Sequence, residues 1–169
     1  MRVRYEGHLR RRLAEPGLPG ALPGVPELLD ALEGEPGVTL GVLTGNFELT
    51  GSMKLRACGI DPERFTVRVW GDESPYTPPK REHLVPLGLL RWGAIRGRAA
   101  QSHEVTVIGD TPQDVHCAKV NGCRCLAVAT GHFGEDALRG SGADRVVRNL
   151  GETSEVVGWL LSRTVAGAR

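Results

Sequence analysis

At 169 residues the chain can bury one sizeable core without disulfide or metal staples, and a single compact α/β unit is the default expectation. A formal net charge of +1 excludes the long-range pull that carries strongly basic proteins to nucleic acid or anionic membrane, so any charged ligand must be held by local groups. No apolar run approaches the roughly 20 residues of a membrane span, no signal-peptide core follows the arginine-rich start, and the four cysteines contain no CxxC pair, which together predict a reduced cytoplasmic protein.

Residues 1–24 combine an arginine cluster (Arg10, Arg11, Arg12) with the stretch Pro16-Gly17-Leu18-Pro19-Gly20, which cannot sustain a helix, so a short helix and then a linker are expected. From Val25 onward, helix-period segments alternate with continuous apolar runs, the signature of buried parallel strands between helices. The pattern predicts helix Pro26–Glu33, strand Val38–Leu43, helix Glu48–Ala57, strand Thr66–Trp70, a proline-rich loop Asp72–Pro79 and helix Arg81–Arg91. It continues with strand Val105–Ile108, helix Pro112–Val120, strand Cys125–Ala129, helix Glu135–Arg139, strand Arg145–Val147 and helix Ser154–Leu161. The fold class is therefore a three-layer, doubly wound parallel α/β sheet, in which ligands bind beyond the carboxyl ends of the strands.

Two strand-to-helix loops there carry polar groups. In Thr44-Gly45-Asn46, a hydroxyl, a glycine and the amides of a helix start form a small anion cradle, though the same residues also make an ordinary turn and cap. In Gly109-Asp110-Thr111-Pro112-Gln113-Asp114, two carboxylates four residues apart straddle a proline-started helix. Such a pair suits Mg²⁺, which takes one or two protein carboxylates and leaves its other positions to water and phosphate; helix capping is the equally weighted alternative. Lys80-Arg81, at the end of the proline-rich loop, is a third, basic element that could neutralise phosphate, although such pairs are commonly solvated surface. His132 and the tryptophans Trp70, Trp92 and Trp159 are assigned packing or spectator roles.

The order Thr44, then Lys80 or Arg81, then Asp110 with Asp114 resembles motifs two, three and four of the haloacid dehalogenase superfamily, nearest its phosphoglycolate-phosphatase-like branch. The likeness runs from about Leu22 to about Leu160, and Gly109-Asp110-Thr111-Pro112-Gln113-Asp114-Val115 is its most specific stretch. It implies a Mg²⁺-dependent phosphatase acting on a small phosphate monoester through an aspartyl-phosphate intermediate. On the matching positions, Thr44, Gly45, Asn46 and Arg81 would bind phosphate, Lys80 or Arg81 would offset its charge, Asp110 would be a Mg²⁺ ligand, and Asp114 would serve the metal shell or the basic residue.

The departure from the family is the absence of motif one, the Asp-x-Asp that ends its first strand and supplies the nucleophile: no aspartate precedes Asp30, and the seven aspartates include no Asp-x-Asp pair. Residues 1–24 look like the remnant of a helical cap and linker, and 25–169 like a core lacking its central first strand, which would leave Val38–Leu43 and Val105–Ile108 with unpaired inner edges. Two readings follow. One is an enzyme, inactive in this span of chain, with a small phosphorylated substrate. The other is a non-catalytic module that binds phosphate or metal, or forms a homo-oligomer through those edges.

Overall fold

The structure, a computed structural model, describes residues 2–15, 17, 20–75 and 80–162, with residues 2–4 and 81 described through their backbone only. Parts of the predicted linker (Pro16, Leu18, Pro19) and of the proline-rich loop (Tyr76–Pro79), and the Arg81 side chain, lie outside the described residues. In chain order the elements are α1 (Arg2–Leu13), α2 (Val25–Glu33), β1 (Gly41–Leu43), α3 (Glu48–Ala57), β2 (Val67–Val69) and α4 (Leu84–Arg96). They continue with β3 (Thr106–Gly109), α5 (Pro112–Val120), β4 (Arg124–Val128), α6 (Glu135–Gly140), β5 (Arg145–Val147) and α7 (Thr153–Leu161).

All strand pairs are parallel, and they fall into two sheets, β1-β2 and β3-β4-β5. The layering can be read from β4, whose side chains alternate between faces as a pleated strand requires. Cys125 and Ala127 belong to a core cluster with Val115, Cys117 and Ala118 of α5, Leu138 of α6 and Val85 of α4. Leu126 and Val128 belong to a second cluster on the opposite face, with Leu28 and Leu32 of α2 and Val156 of α7. Helices cover both faces, and the three-layer α/β expectation holds.

The division into two sheets follows from which backbone groups are already bonded. The Leu40 carbonyl accepts from the Val67 amide, and the Thr44 amide donates to the Val69 carbonyl. Residues 40, 42 and 44 therefore face β2, and Gly41 and Leu43 turn their N–H and C=O groups the other way. On β3 the Val105 carbonyl accepts from Arg124, so residues 105, 107 and 109 face β4, and Thr106 and Ile108 face outward. Leu43 is 39% exposed and Ile108 40%, values out of keeping with strands in the middle of a doubly wound sheet. Among the described residues β1 and β3 each have one edge with no strand partner, as expected of them.

Most elements fall within a residue of their predicted bounds at each end, and two differ by more. β1 is three residues long instead of six, because Val38 and Leu40 pack against the α2–α7 cluster while their segment makes only its last turnward bond to β2. The helix expected at Arg81–Arg91 opens with a 3₁₀ turn over Arg81–His83 and runs on to Arg96, ending where Gly97 adopts φ 68°. α1 lies against α3, with Leu9 buried beneath it.

One polar contact ties α5, β4 and the approach to β5 together: Asp144 accepts from the Cys125 amide at 2.6 Å and from Lys119 Nζ at 2.5 Å. Partial burial works against its charge, but the Lys119 and Cys125 hydrogen bonds outweigh it and hold the Asp144 carboxyl below the usual carboxylate range. A depressed folded-state value stabilises the fold above the ordinary carboxylate pKa, and that stabilisation is lost as pH falls through the folded value. Urea unfolding across an acid pH series is expected to show a weaker acid dependence for Asp144→Asn than for the unaltered chain; equal dependence would count against this contact.

Candidate active site

At the end of β1, the Thr44 hydroxyl oxygen accepts two hydrogen bonds, from the Asn46 amide at 3.2 Å and from Asn46 Nδ2 at 2.8 Å. The Asn46 carbonyl accepts from the Gly71 amide at 2.8 Å, and Asn46 Oδ1 accepts from Lys54 Nζ at 2.7 Å. Thr44, Gly45 and Asn46 thus form one tightly tied loop. The helix start beside it is less open than expected, because the Glu48 amide donates to the Asp72 carboxylate at 3.1 Å. The protein's own acid takes up part of the positive end of α3, which narrows the anion cradle to the Thr44-Gly45-Asn46 turn.

At the end of β3, Thr111 caps α5. Its hydroxyl accepts from the Asp114 amide at 3.1 Å, and Asp114 Oδ2 accepts from the Thr111 hydroxyl at 2.8 Å and from the Thr111 and Asp110 amides at 3.2 and 3.3 Å. This is a reciprocal capping box, with Pro112 at the first helical position. One oxygen of Asp114 is spent on shaping the loop that presents Asp110. Gly109 makes that possible, since a Cβ there would lie 2.3 Å from the Asp114 Cβ. Gly131, on the loop after β4, likewise lies so close to Asp110 that a Cβ would fall 2.3 Å from Oδ2. Sequence reasoning missed Gly131, for which Thr130-Gly131-His132 following a strand end was the available signal.

The basic element is only partly described. Lys80 is 61% exposed, with its ammonium 3.7 Å from Glu82 Oε1, and the Arg81 side chain lies outside the described residues. An open cleft of about 280 Å³ beside it is lined by Lys80, Glu82, Gln113, His116 and Cys117, which places Lys80 against the first turns of α5. Neither Thr44 nor Asp110 lines that cleft. The structure therefore presents Thr44 and Asp110 at the carboxyl ends of β1 and β3, the two strands with an edge unpaired among the described residues. Lys80 sits on the α5 side.

Comparison with known families accounts for this arrangement. The haloacid dehalogenase-like hydrolase model matches residues 1–119, and a second, HAD-hydrolase-like model matches residues 88–153. The chain belongs to the haloacid dehalogenase-like hydrolases. Solved structures share the fold of this family member. A hydrolase from Pseudomonas syringae has a TM-score of 0.69 at 23% identity, over 83% of this chain and 60% of its own. A predicted phosphoglycolate phosphatase from Haemophilus somnus has a TM-score of 0.65 at 21% identity, over 87% and 60%. A predicted phosphatase from Clostridium acetobutylicum gives 0.66 at 21%, over 81% and 59%. The chain thus spans about 60% of the length of the solved relatives it matches. No curated protein sequence matches it.

Among the described residues, no three or more His, Cys, Asp or Glu side chains converge to hold a metal ion. What the HAD-like loop offers is the Asp110 carboxylate, a hard oxygen donor at a strand tip. That fits Mg²⁺, which binds through few protein carboxylates and keeps most of its water. The capping box has its own consequence: Thr111→Ala is expected to cost about 1 kcal/mol of stability, the usual scale of an N-cap, read from the urea unfolding midpoint. An unchanged midpoint would contradict the capping geometry.

Proposed function

We infer that this HAD-like hydrolase chain forms the phosphate- and Mg²⁺-binding part of a phosphatase for small phosphate monoesters of the phosphoglycolate kind. The observation that carries the reading is that Thr44 and Asp110, a hydroxyl and a carboxylate, directly follow the carboxyl ends of β1 and β3, two parallel-sheet strands that each have one edge unpaired among the described residues. In this reading Thr44, Gly45 and Asn46 hold phosphoryl oxygens, Asp110 attaches Mg²⁺, and Lys80 or Arg81 offsets charge. Bound Mg²⁺ would supply neutralisation of the phosphate. Asp114 acts mainly by shaping the loop. The likeness to a predicted phosphoglycolate phosphatase supports the substrate class, and the absence of disulfides among the four cysteines fits a reducing compartment such as the cytoplasm.

The nucleophile is the missing part. Five of the seven aspartates already have structural partners: Asp30 with Arg64, Asp61 with the Glu63 amide, Asp72 with the Glu48 amide, Asp136 with Arg139, and Asp144 with Lys119. Asp114, in the first turn of α5, is a sixth, with Oδ2 bonded to Thr111 and to the Asp110 amide, and Asp110 is the carboxylate assigned here to Mg²⁺, which weakens it as a nucleophile. In the presence of Mg²⁺ this chain is expected to hydrolyse p-nitrophenyl phosphate and phosphoglycolate at least about 10³-fold more slowly than a version extended upstream through an Asp-x-Asp strand, the scale on which losing a nucleophile acts. Equal rates, abolished by Asp110→Ala, would require another nucleophile and overturn the assignment.

A second reading draws on the exposed edges of β1 and β3, which can pair with another chain. In that reading the chain is a non-catalytic module that self-associates or binds phosphate.

For the metal, calorimetry is expected to show weak Mg²⁺ binding that Asp110→Asn removes and Asp114→Asn reduces less, because Asp114 Oδ2 already serves the Thr111 and Asp110 amides. Equal affinity in Asp110→Asn and the unaltered chain would refute the Asp110 assignment.

A further inference from the structure

Lys54 lies on the second turn of α3 and carries no role in the reading above. Its ammonium donates to Asn46 Oδ1 at 2.7 Å, and no carboxylate pairs with it among the described residues. An ammonium has only protons to give, so the Asn46 atom facing it must be the carbonyl oxygen, and the Asn46 NH₂ group must face Thr44. There Nδ2 donates to the Thr44 hydroxyl oxygen at 2.8 Å, and the Asn46 backbone amide donates to the same oxygen at 3.2 Å. A hydroxyl has two acceptor positions and one proton. Both acceptor positions are filled, so the proton is the group's one remaining valence, and no acceptor for it is present among the described residues.

We propose that Lys54 is a positioning residue that, through Asn46, sets the Thr44 hydroxyl as an obligatory donor toward an anion bound at the carboxyl end of β1. Without Lys54, Asn46 can turn its amide over and present Oδ1 to Thr44; the hydroxyl proton then points inward, and the loop loses its donor. Gly51 admits this packing, because a Cβ there would lie 3.5 Å from the Asn46 Cβ and 2.5 Å from the Trp70 ring. Lys54 also sets a positive charge near a loop that already carries the Asp72 carboxylate at the α3 start. The proposal rests on phosphate as the anion that Thr44 receives.

The test is a double-mutant cycle read by NMR titration with inorganic phosphate in Mg²⁺, using the full chain. Thr44→Val and Lys54→Met are each expected to weaken phosphate binding about 10-fold, the scale of one lost hydrogen bond to a charged group. The double variant should bind no more weakly than Thr44→Val alone, because Lys54 acts through that hydroxyl. Lys54→Arg, which keeps a donor, should restore both the affinity and the position of the Asn46 side-chain amide resonances that Lys54→Met moves. Additive losses would make Lys54 a direct charge on the ligand and overturn the relay, as would a Lys54→Met variant with unaltered affinity or unmoved Asn46 resonances. If the unaltered chain shows no phosphate-dependent shifts, the phosphate reading fails by itself. The relay then stands if Lys54→Met still moves the Asn46 resonances and Lys54→Arg does not, and it falls if they stay in place.

Discussion

The hydrogen-bonding demand of a parallel strand governs the rest of this structure. A strand in the middle of a sheet turns half its N–H and C=O groups to each side, and every one that is buried without a partner costs about 1–3 kcal/mol. Here Gly41 and Leu43 on β1, and Thr106 and Ile108 on β3, turn their N–H and C=O groups to edges that no strand pairs among the described residues. Their side chains report the result: Leu43 and Ile108 are exposed, whereas Cys125, Leu126 and Ala127 on the fully paired β4 are buried. The two half-sheets are joined mainly by helices. Val85 of α4 shares a core cluster with Val115 of α5, the 3₁₀ turn before α4 packs against α5, and Asn121 Nδ2 donates to the Glu82 carbonyl at 2.9 Å.

The same constraint shapes the electrostatics of the site. Two acids, Asp72 and Asp114, have each been spent on a helix start, α3 and α5 respectively, where exposed amides attract negative charge. In the proposed reading a phosphate at Thr44 would meet a helix end already partly neutralised and would depend on hydrogen-bond donors of defined direction more than on the helix dipole. Asp110 differs from its neighbours in this respect. Its backbone amide is held by Asp114, and its carboxylate lies against Gly131, a position where any larger residue would push it aside.

Much of the fold was legible in the sequence because local signals agreed. Pro112 after Thr111, with Asp114 three residues on, marks a helix start that tertiary packing had no reason to move, and α5 spans the predicted residues. α3 and β5 also match their predicted bounds. Boundaries failed where distant partners decide: Val38 and Leu40 read as strand by apolarity, yet α2 and α7 claim their side chains. α4 outran its prediction because Arg91 reads as a polar stop, whereas in the fold it reaches back to Glu73 and to the Arg68 carbonyl. At the site, Thr44, Asp110 and Asp114 were visible from their strand-to-helix setting. Lys54 was not, since its partner lies eight residues away across a helix start. The clue was that Thr50, Gly51 and Lys54 share one helical face, the first two of them buried.

Structural and chemical deficits coincide. β1 ends just before Thr44 and β3 just before Asp110, and each lies in a parallel sheet with one edge unpaired among the described residues, so a strand that extended the parallel pattern at either edge would run in the same direction. In the proposed reading, the carboxyl end of such a strand would carry the attacking group that covalent phosphoryl transfer needs to the side where Thr44 and Asp110 follow their strands. Asp30 is held to Arg64 from α2, Asp72 is bound at the start of α3, and Asp144 sits between Lys119 and the Cys125 amide, so each of these carboxylates already has a structural partner. In the proposed reading the groups assigned to phosphate and metal stand at two strand ends of this chain, and the reacting carboxylate would come with a strand that pairs those open edges.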